Sequence, residues 1–251
     1  MNRILAALIG LLLVALTASA AQAAVLDVGT PVKETAGDVQ INKDLTAKGG
    51  IDWAVWGFQD PDSDPLTAAN RKDDGGGTAV GEISDLTYLD GDSDPLENWS
   101  ESWNPYEFDW TDGVMSPTSA TDQDSLMRIQ QKESDNGDGF SFTIEADTTS
   151  RVAELYLYAR AIVGDVKVTL GTESQTVEIN NPEKDDGGWL VPITFTGDSD
   201  GQLMTVEYTQ TQDKGFNTLG VAGVALDVPE PATMVLLGLG GAGLLLRRRR
   251  G

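Results

Sequence analysis

The chain has 251 residues with 40 acidic against 17 basic side chains, a net charge of −23 that excludes nucleic acid as a natural partner. It contains no histidine and no cysteine. This excludes Ser-His-Asp and Cys-His nucleophile systems, histidine-based acid/base catalysis and a conventional zinc site. Because no disulfide can support the fold, the hydrophobic core must be sufficient by itself.

The first 23 residues have the pattern of a secretory signal peptide. One early charge, Arg3, precedes an apolar run over residues 4–16, and small residues follow with Ala-x-Ala sites at 18–20 and 21–23. The run is short for a retained membrane span. We therefore expect export through the Sec machinery and a body that begins at residue 24.

Residues 24–228 have a normal length for one β-rich domain. Residues 39–41 predict an edge strand. Residues 51–58 place large apolar side chains on both alternating faces, including Trp53 and Trp56, which predicts a core strand that is covered on both sides or leaves a Trp at a sheet face.

Residues 60–138 are acidic and rich in Gly, Pro and Ser, which predicts loop insertions with short strands at 82–89, 108–111 and 126–130. A local repeat stands out in this region. Asp-Pro-Asp-Ser-Asp-Pro-Leu at 60–66 recurs as Asp-Gly-Asp-Ser-Asp-Pro-Leu at 90–96.

The second copy of the repeat predicts a calcium loop. Asp90, Asp92, Asp94 and Glu101 fall at positions 1, 3, 5 and 12 of an EF-hand-like loop, a spacing that gathers hard oxygen ligands around Ca²⁺. Pro95 occupies the position at which that loop needs Gly, so a true EF-hand is excluded. Solvated acidic turns are the simpler alternative, because Asp-Ser-Asp runs also arise from turn preference.

Three aromatic residues, Trp99, Trp103 and Tyr106, lie close together in a predicted loop. Sugar rings stack on such platforms, and Glu101 and Asn104 would hydrogen-bond the hydroxyl groups. The sequence therefore indicates a candidate carbohydrate-binding site. Aromatic residues in loops more often close the end of a core, and this structural role is the alternative.

After Gly139 the pattern becomes regular, with predicted strands at 140–145, 152–162, 166–170, 176–179, 189–195, 203–209 and 219–228. Gly164-Asp165 predicts a two-residue hairpin between the second and third of these strands. Many short strands with no convincing amphipathic helix predict an all-β fold, namely an antiparallel β-sandwich.

Four segments, 51–57, 70–72, 108–113 and 140–151, resemble a module of secreted bacterial proteins that often lies beside carbohydrate-active or adhesive domains. The resemblance implies a jelly-roll-like, galactose-binding-like sandwich and brings no catalytic motif. We expect no enzymatic activity. A carboxylate-based glycan-active enzyme is an alternative, for which the sequence selects no pair of acids.

The C-terminal segment, residues 229–251, begins with Pro229, Glu230 and Pro231, continues with an apolar run over 232–246 and ends with Arg247, Arg248, Arg249, Arg250 and Gly251. Fifteen helical residues span about 22 Å, less than the ~30 Å hydrocarbon core of a bilayer. The arginines reach toward headgroups and stay cytoplasmic, which places the body outside. The segment therefore predicts a single, provisional transmembrane helix.

This order of features resembles the PEP-CTERM sorting signal of Gram-negative bacteria. The resemblance implies that a membrane transpeptidase, exosortase, cuts near Pro-Glu-Pro and passes the protein to the cell surface, often in organisms that make extracellular polysaccharide. The alternative is an anchor that is never processed. The short span favours processing.

Together these features predict an exported, non-catalytic protein of the cell surface or extracellular matrix. It would be anchored transiently in the inner membrane, with its body outside the cytoplasm, and would contact extracellular polysaccharide. The alternative is a structural surface or matrix component without a discrete ligand.

Overall fold

The computed structural model describes residues 23–36, 39–57, 66–89, 96–98, 104–129, 136–182 and 184–229. Within these ranges the chain forms strands joined by loops and one helical turn. The strands are β1 (Val25–Val28), β2 (Val32–Ala36), β3 (Ile41–Asp44), β4 (Asp52–Val55), β5 (Asn70–Arg71), β6 (Thr87–Leu89), β7 (Leu96–Asn98), β8 (Tyr106–Trp110), β9 (Ala120–Asp124), β10 (Met127–Ile129), β11 (Gly139–Ala146), β12 (Arg151–Leu170), β13 (Glu173–Asn181), β14 (Gly187–Thr196) and β15 (Gln202–Asp227). The helix is α1 (Leu45–Lys48), capped by Asp44. The all-β prediction is confirmed for the described residues.

Two long strands organise the main sheet. β12 and β15 pair antiparallel along almost their whole lengths, and the principal strand order is β1-β14-β12-β15-β10-β7. The predicted hairpin at Gly164-Asp165 is wrong, because Gly164 lies inside β12 and pairs with Ile179 on one side and Gln210 on the other. Likewise, the strands predicted at 203–209 and 219–228 are parts of the single strand β15.

The long pair changes partners halfway along. Residues 151–159 of β12 pair with β14 and with the last part of β15. Residues 162–170 of β12 pair with β13 and with the first part of β15. The register shifts between Arg160 and Ile162, and Ala161 between them has a left-handed backbone with φ of 50°. Residue 161 therefore divides the sheet into a first and a second half.

The first core lies between these two halves. Leu155 and Leu157 from the first half belong to one cluster of buried side chains with Val166 and Val168 from the second half. Successive side chains of a strand point to opposite faces, so each half contributes one apolar face to this cluster. Trp56, which directly follows β4, is fully buried in it.

A second core covers the outer face of the first half. Three strands, β3, β8 and β9, form a separate small sheet in which β3 and β8 run parallel. Tyr106, Phe108 and Trp110 of β8 point from this sheet toward Tyr156 and Tyr158 of β12, and all five side chains are buried. The first half of the main sheet is consequently covered on both faces.

Candidate functional site

The start of the predicted sorting segment follows directly on the last strand of the main sheet. Asp227, the last residue of β15, pairs with Val152, and the preceding Leu226 pairs with Ala153 and accepts a hydrogen bond from the N–H of Ile51 at 3.0 Å. Val228 donates its N–H to the Asp227 carboxylate at 2.8 Å and is 51% exposed. The chain thus passes from a paired strand to Pro229 over one residue.

A cleft of about 370 Å³ lies beside this exit, lined by Ala47, Lys48, Val152, Glu154, Asp227, Val228 and Pro229. Lys48 Nζ contacts Glu154 Oε1 at 3.0 Å, and Glu154 Oε2 accepts the hydroxyl of Tyr156 at 2.7 Å. The cleft therefore carries one ammonium group and two carboxylates. Its charged residues are more than 70 positions apart in the chain, so no local pattern in the sequence indicates it.

Of the predicted sorting and membrane-stop residues, the structure describes Pro229. Glu230, Pro231, Arg247, Arg248, Arg249 and Arg250 lie outside the described residues. Among the residues that the structure does describe, no helix has the length and apolar character needed to cross a bilayer.

The predicted calcium ligands Asp90, Asp92, Asp94 and Glu101 also lie outside the described residues, as do Trp99 and Trp103 of the aromatic platform. Their roles stay predictions. Across the described ranges, no three acidic side chains come together in a group that could hold a metal ion.

Tyr106, the third residue of the predicted platform, is fully buried in the second core. Its ring lies 5.3 Å from that of Tyr156, and its hydroxyl donates to Glu34 Oε2 at 3.0 Å. Burial and the neighbouring Glu34 carboxylate raise the pKa of this phenol. The ring offers no face to a sugar in this structure, because neighbouring side chains cover it.

The outer face of the small sheet carries a row of acids. Glu107 and Asp109 of β8 lie beside Asp122 and Asp124 of β9. Burial, followed by the carboxylates of Asp124, Asp122 and Asp109, raises the pKa of Glu107. The alternation of aromatic and acidic residues along β8 is the sequence signal for this face.

Among the carboxylates in the described part of the chain, that of Asp52 has no exposed surface. Asp52, the first residue of β4, accepts the N–H groups of Trp53 at 2.8 Å, Glu82 at 2.9 Å and Ile83 at 3.2 Å. Burial raises its pKa to about 6, although the backbone hydrogen bonds and the charge of Arg71 oppose this shift. Because Asp52 lies in β4 and accepts the N–H groups of Glu82 and Ile83, this carboxylate fixes the 82–83 loop to β4.

Comparison with known proteins gives one sequence match and a set of distant structural matches. The family model of the PEP-CTERM protein-sorting motif matches residues 227–250. No curated protein matches the chain in sequence.

Two of the structural matches are as follows. The carbohydrate-binding module TmCBM61, solved in complex with β-1,4-galactotriose, is 13% identical with a TM-score of 0.37, over 60% of this chain and 92% of that chain. The enzymatically active domain of bacteriophage CBA120 tailspike protein 4 is 8% identical with a TM-score of 0.36, over 59% of this chain and 19% of that chain. By its match over residues 227–250, the chain carries a PEP-CTERM protein-sorting motif, which indicates an exported protein.

Proposed function

We propose that this chain is an exported surface or matrix protein that residues 229–251 hold provisionally in the inner membrane until a transpeptidase of the exosortase type cuts near Pro-Glu-Pro. The observation that carries the proposal is the position of the sorting motif, which begins at Asp227, the last residue of a core strand. A folded body with an attached sorting segment is the arrangement that cargo for such an enzyme requires. The Sec pathway and a signal peptide over residues 1–23 complete the route.

For the body itself we infer an antiparallel, jelly-roll-like β-sandwich. Support comes from the two halves of the main sheet, whose buried residues share one cluster. The body takes no part in catalysis under this proposal. Its acidic insertions, over about residues 60–138, would be elaborations of the sandwich.

The expected ligand is extracellular polysaccharide. Support for this part of the proposal is the sequence around Trp99 and Trp103, whose indole rings are suited to stack on sugar rings. A structural matrix component without a discrete ligand is the competing function. The two differ in whether the protein binds sugar saturably.

The sorting proposal predicts a processed C-terminus. In a Gram-negative host with an exosortase, we expect the mass of the surface protein to correspond to a chain that ends near Pro229-Glu230-Pro231. Replacement of these three residues by alanine should leave the uncut chain in the membrane fraction, because the enzyme loses its recognition sequence. Lys214→Ala, on the exposed surface of the body, is the matched control and should be processed normally. An intact tail on the surface protein would contradict the proposal.

The polysaccharide proposal predicts a binding defect without a folding defect. Trp99→Ala combined with Trp103→Ala should abolish retention of the mature protein on host polysaccharide, because stacking contributes about 1 kcal/mol for each ring beyond the buried area. A pull-down assay measures retention, and thermal unfolding of the same samples checks the fold. Tryptophans that are already buried, such as Trp53, are unsuitable controls, so Met115→Ala serves as the exposed apolar control. Unchanged retention in the double variant would refute the platform.

A further inference from the structure

The N-terminal and C-terminal ends of the body leave the main sheet at the same end of its strands. Asp27, Thr194, Val152 and Asp227 pair in one row across the adjacent strands β1, β14, β12 and β15. Three strand spacings of about 4.8 Å separate the first and last of these residues by roughly 14 Å. Each of the three adjacent pairs, β1 with β14, β14 with β12 and β12 with β15, is antiparallel, so β1 and β15 run in opposite directions. The chain therefore enters before residue 25 and exits after residue 227 on the same side of this row.

Two loops share this edge with the chain ends. The loops over 147–150 and 197–201 are joined by hydrogen bonds from Gly197 N to Asp147 O at 2.7 Å and from Gly201 N to Ala146 O at 3.1 Å. We name residues 24–25, 147–150, 197–201 and 227–229 the terminal end. We name the opposite end of these strands the far end. It contains the bend at Ala161 and residues 214–217, which interrupt the register of β15 opposite that bend.

The connection from the terminal end to the apolar segment is short. Four residue steps separate Val228 from Ala232, and an extended chain covers at most about 3.6 Å for each step, or roughly 14 Å in total. Wherever the apolar segment enters a bilayer, the end of β15 must therefore stay close to the lipid surface. This limit depends on covalent reach alone.

The side chains at this edge suit a position beside lipid headgroups. Of the six large apolar residues that stand exposed in the described part of the chain, Val25, Leu203 and Val228 lie on or next to the terminal end. Asp198 and Asp200 lie exposed in the adjacent loop, where their charged side chains stay hydrated and oppose burial of this end in the lipid. The edge is thus suited to lie against the surface without embedding in it.

We propose that the terminal end faces the phospholipid surface while the C-terminal segment is anchored, so that the far end points outward. The inference rests on the proposed function, because it requires the tail to be in the membrane. While the anchor is in place, the far end is the surface that a neighbouring molecule or polymer meets first. The terminal end becomes accessible when the anchor is cut.

Energy transfer to lipids tests this orientation in the full chain. The sequence has no cysteine, so single cysteines can carry a donor dye at Ser199→Cys on the terminal end or at Lys214→Cys on the far end. The chains are inserted into phosphatidylcholine vesicles that contain a headgroup-labelled acceptor lipid. We expect transfer at least about twofold greater from position 199, because nine residues of strand separate the two ends by roughly 30 Å.

Further variants and a flotation assay separate the possible outcomes. Thr172→Cys lies in the turn after Leu170, which pairs with Met204 near the terminal end, and it should behave like Ser199→Cys. Equal transfer from positions 199, 172 and 214 in chains that float with the vesicles would overturn the orientation alone. Failure of the full chain to float with vesicles would overturn both the proposed anchoring and the orientation.

Discussion

Replacement of Asp52 by alanine is expected to lower the free energy of unfolding by about 3 kcal/mol at pH 7. The carboxylate accepts three backbone N–H groups, and two of them, on Trp53 and Ile83, are buried. A buried donor that loses its acceptor costs about 1–3 kcal/mol, and alanine supplies no substitute. Arg71 would also lose the favourable charge of Asp52. Urea denaturation of the mature protein measures the change.

A half-exposed aspartate in an open loop provides the matched control for Asp52. Asp73 accepts the N–H groups of Gly75 and Gly77 through one carboxylate oxygen, but its loop is open to solvent. Water replaces the lost acceptor there, so Asp73→Ala should change the unfolding free energy by less than about 1 kcal/mol. Equal losses in the two variants would show that the burial of Asp52 is not the cause.

The same comparison has a defined pH dependence. Burial raises the folded-state pKa of Asp52 to about 6 from its ordinary value of 3.8, so the folded state binds the proton more tightly than the unfolded state. This group therefore adds stability as the pH falls from 7 toward 4, and the added stability is lost as the pH rises through 6. Two pKa units correspond to about 3 kcal/mol. The stability difference between wild type and Asp52→Ala should widen by about this amount at pH 4; a difference that narrows would contradict the raised pKa.

The sequence is sufficient to predict most strands but not where they end. Residues 140–145 alternate in burial and form part of β11 as predicted. Gly164-Asp165 fails as a turn signal because a glycine can also lie inside a strand, and the partners on both sides of β12 decide between the two conformations. The actual bend lies at Ala161, a residue type with no turn preference, so the pattern of residues does not reveal it.

The candidate site shows the same limit. Pro-Glu-Pro is a local pattern and is recognisable in the sequence, whereas the cleft beside it combines α1, the start of β12 and the end of β15. The sequence predicts an aromatic loop that includes Tyr106, yet Tyr106 lies in a strand whose alternate residues face the second core. A local cluster of aromatic residues does not show whether a second sheet covers it. The alternation of Tyr156 and Tyr158 with Leu155 and Leu157 was the available signal that both faces of β12 are buried.

The second core should contribute to stability as a packed unit, and Phe108→Ala tests this directly. Phe108 is fully buried, and its ring lies 5.5 Å from that of Tyr156 at an interplanar angle of 63°. Removing a buried phenyl ring costs about 3–5 kcal/mol, because the apolar contacts are lost and a cavity remains. Chemical denaturation should show a loss of this size, and near-ultraviolet circular dichroism should report altered packing of Trp53 and Trp110, whose rings lie 5.5 Å apart.

The neighbouring residue on the same strand supplies the control for Phe108. Glu107 points to the acidic outer face, where burial and, after it, the nearby carboxylates raise its pKa. Glu107→Ala removes a repelled charge without opening a cavity, so we expect unchanged or slightly higher stability. If Phe108→Ala also cost less than about 1 kcal/mol, the small sheet would be an accessory that packs loosely on the main one. The side chains of β8 alternate between the core and the solvent, so the two variants test its two faces separately. If Phe108→Ala alone lowers the unfolding free energy, the core face of the small sheet of β3, β8 and β9 stabilises the outer face of β12.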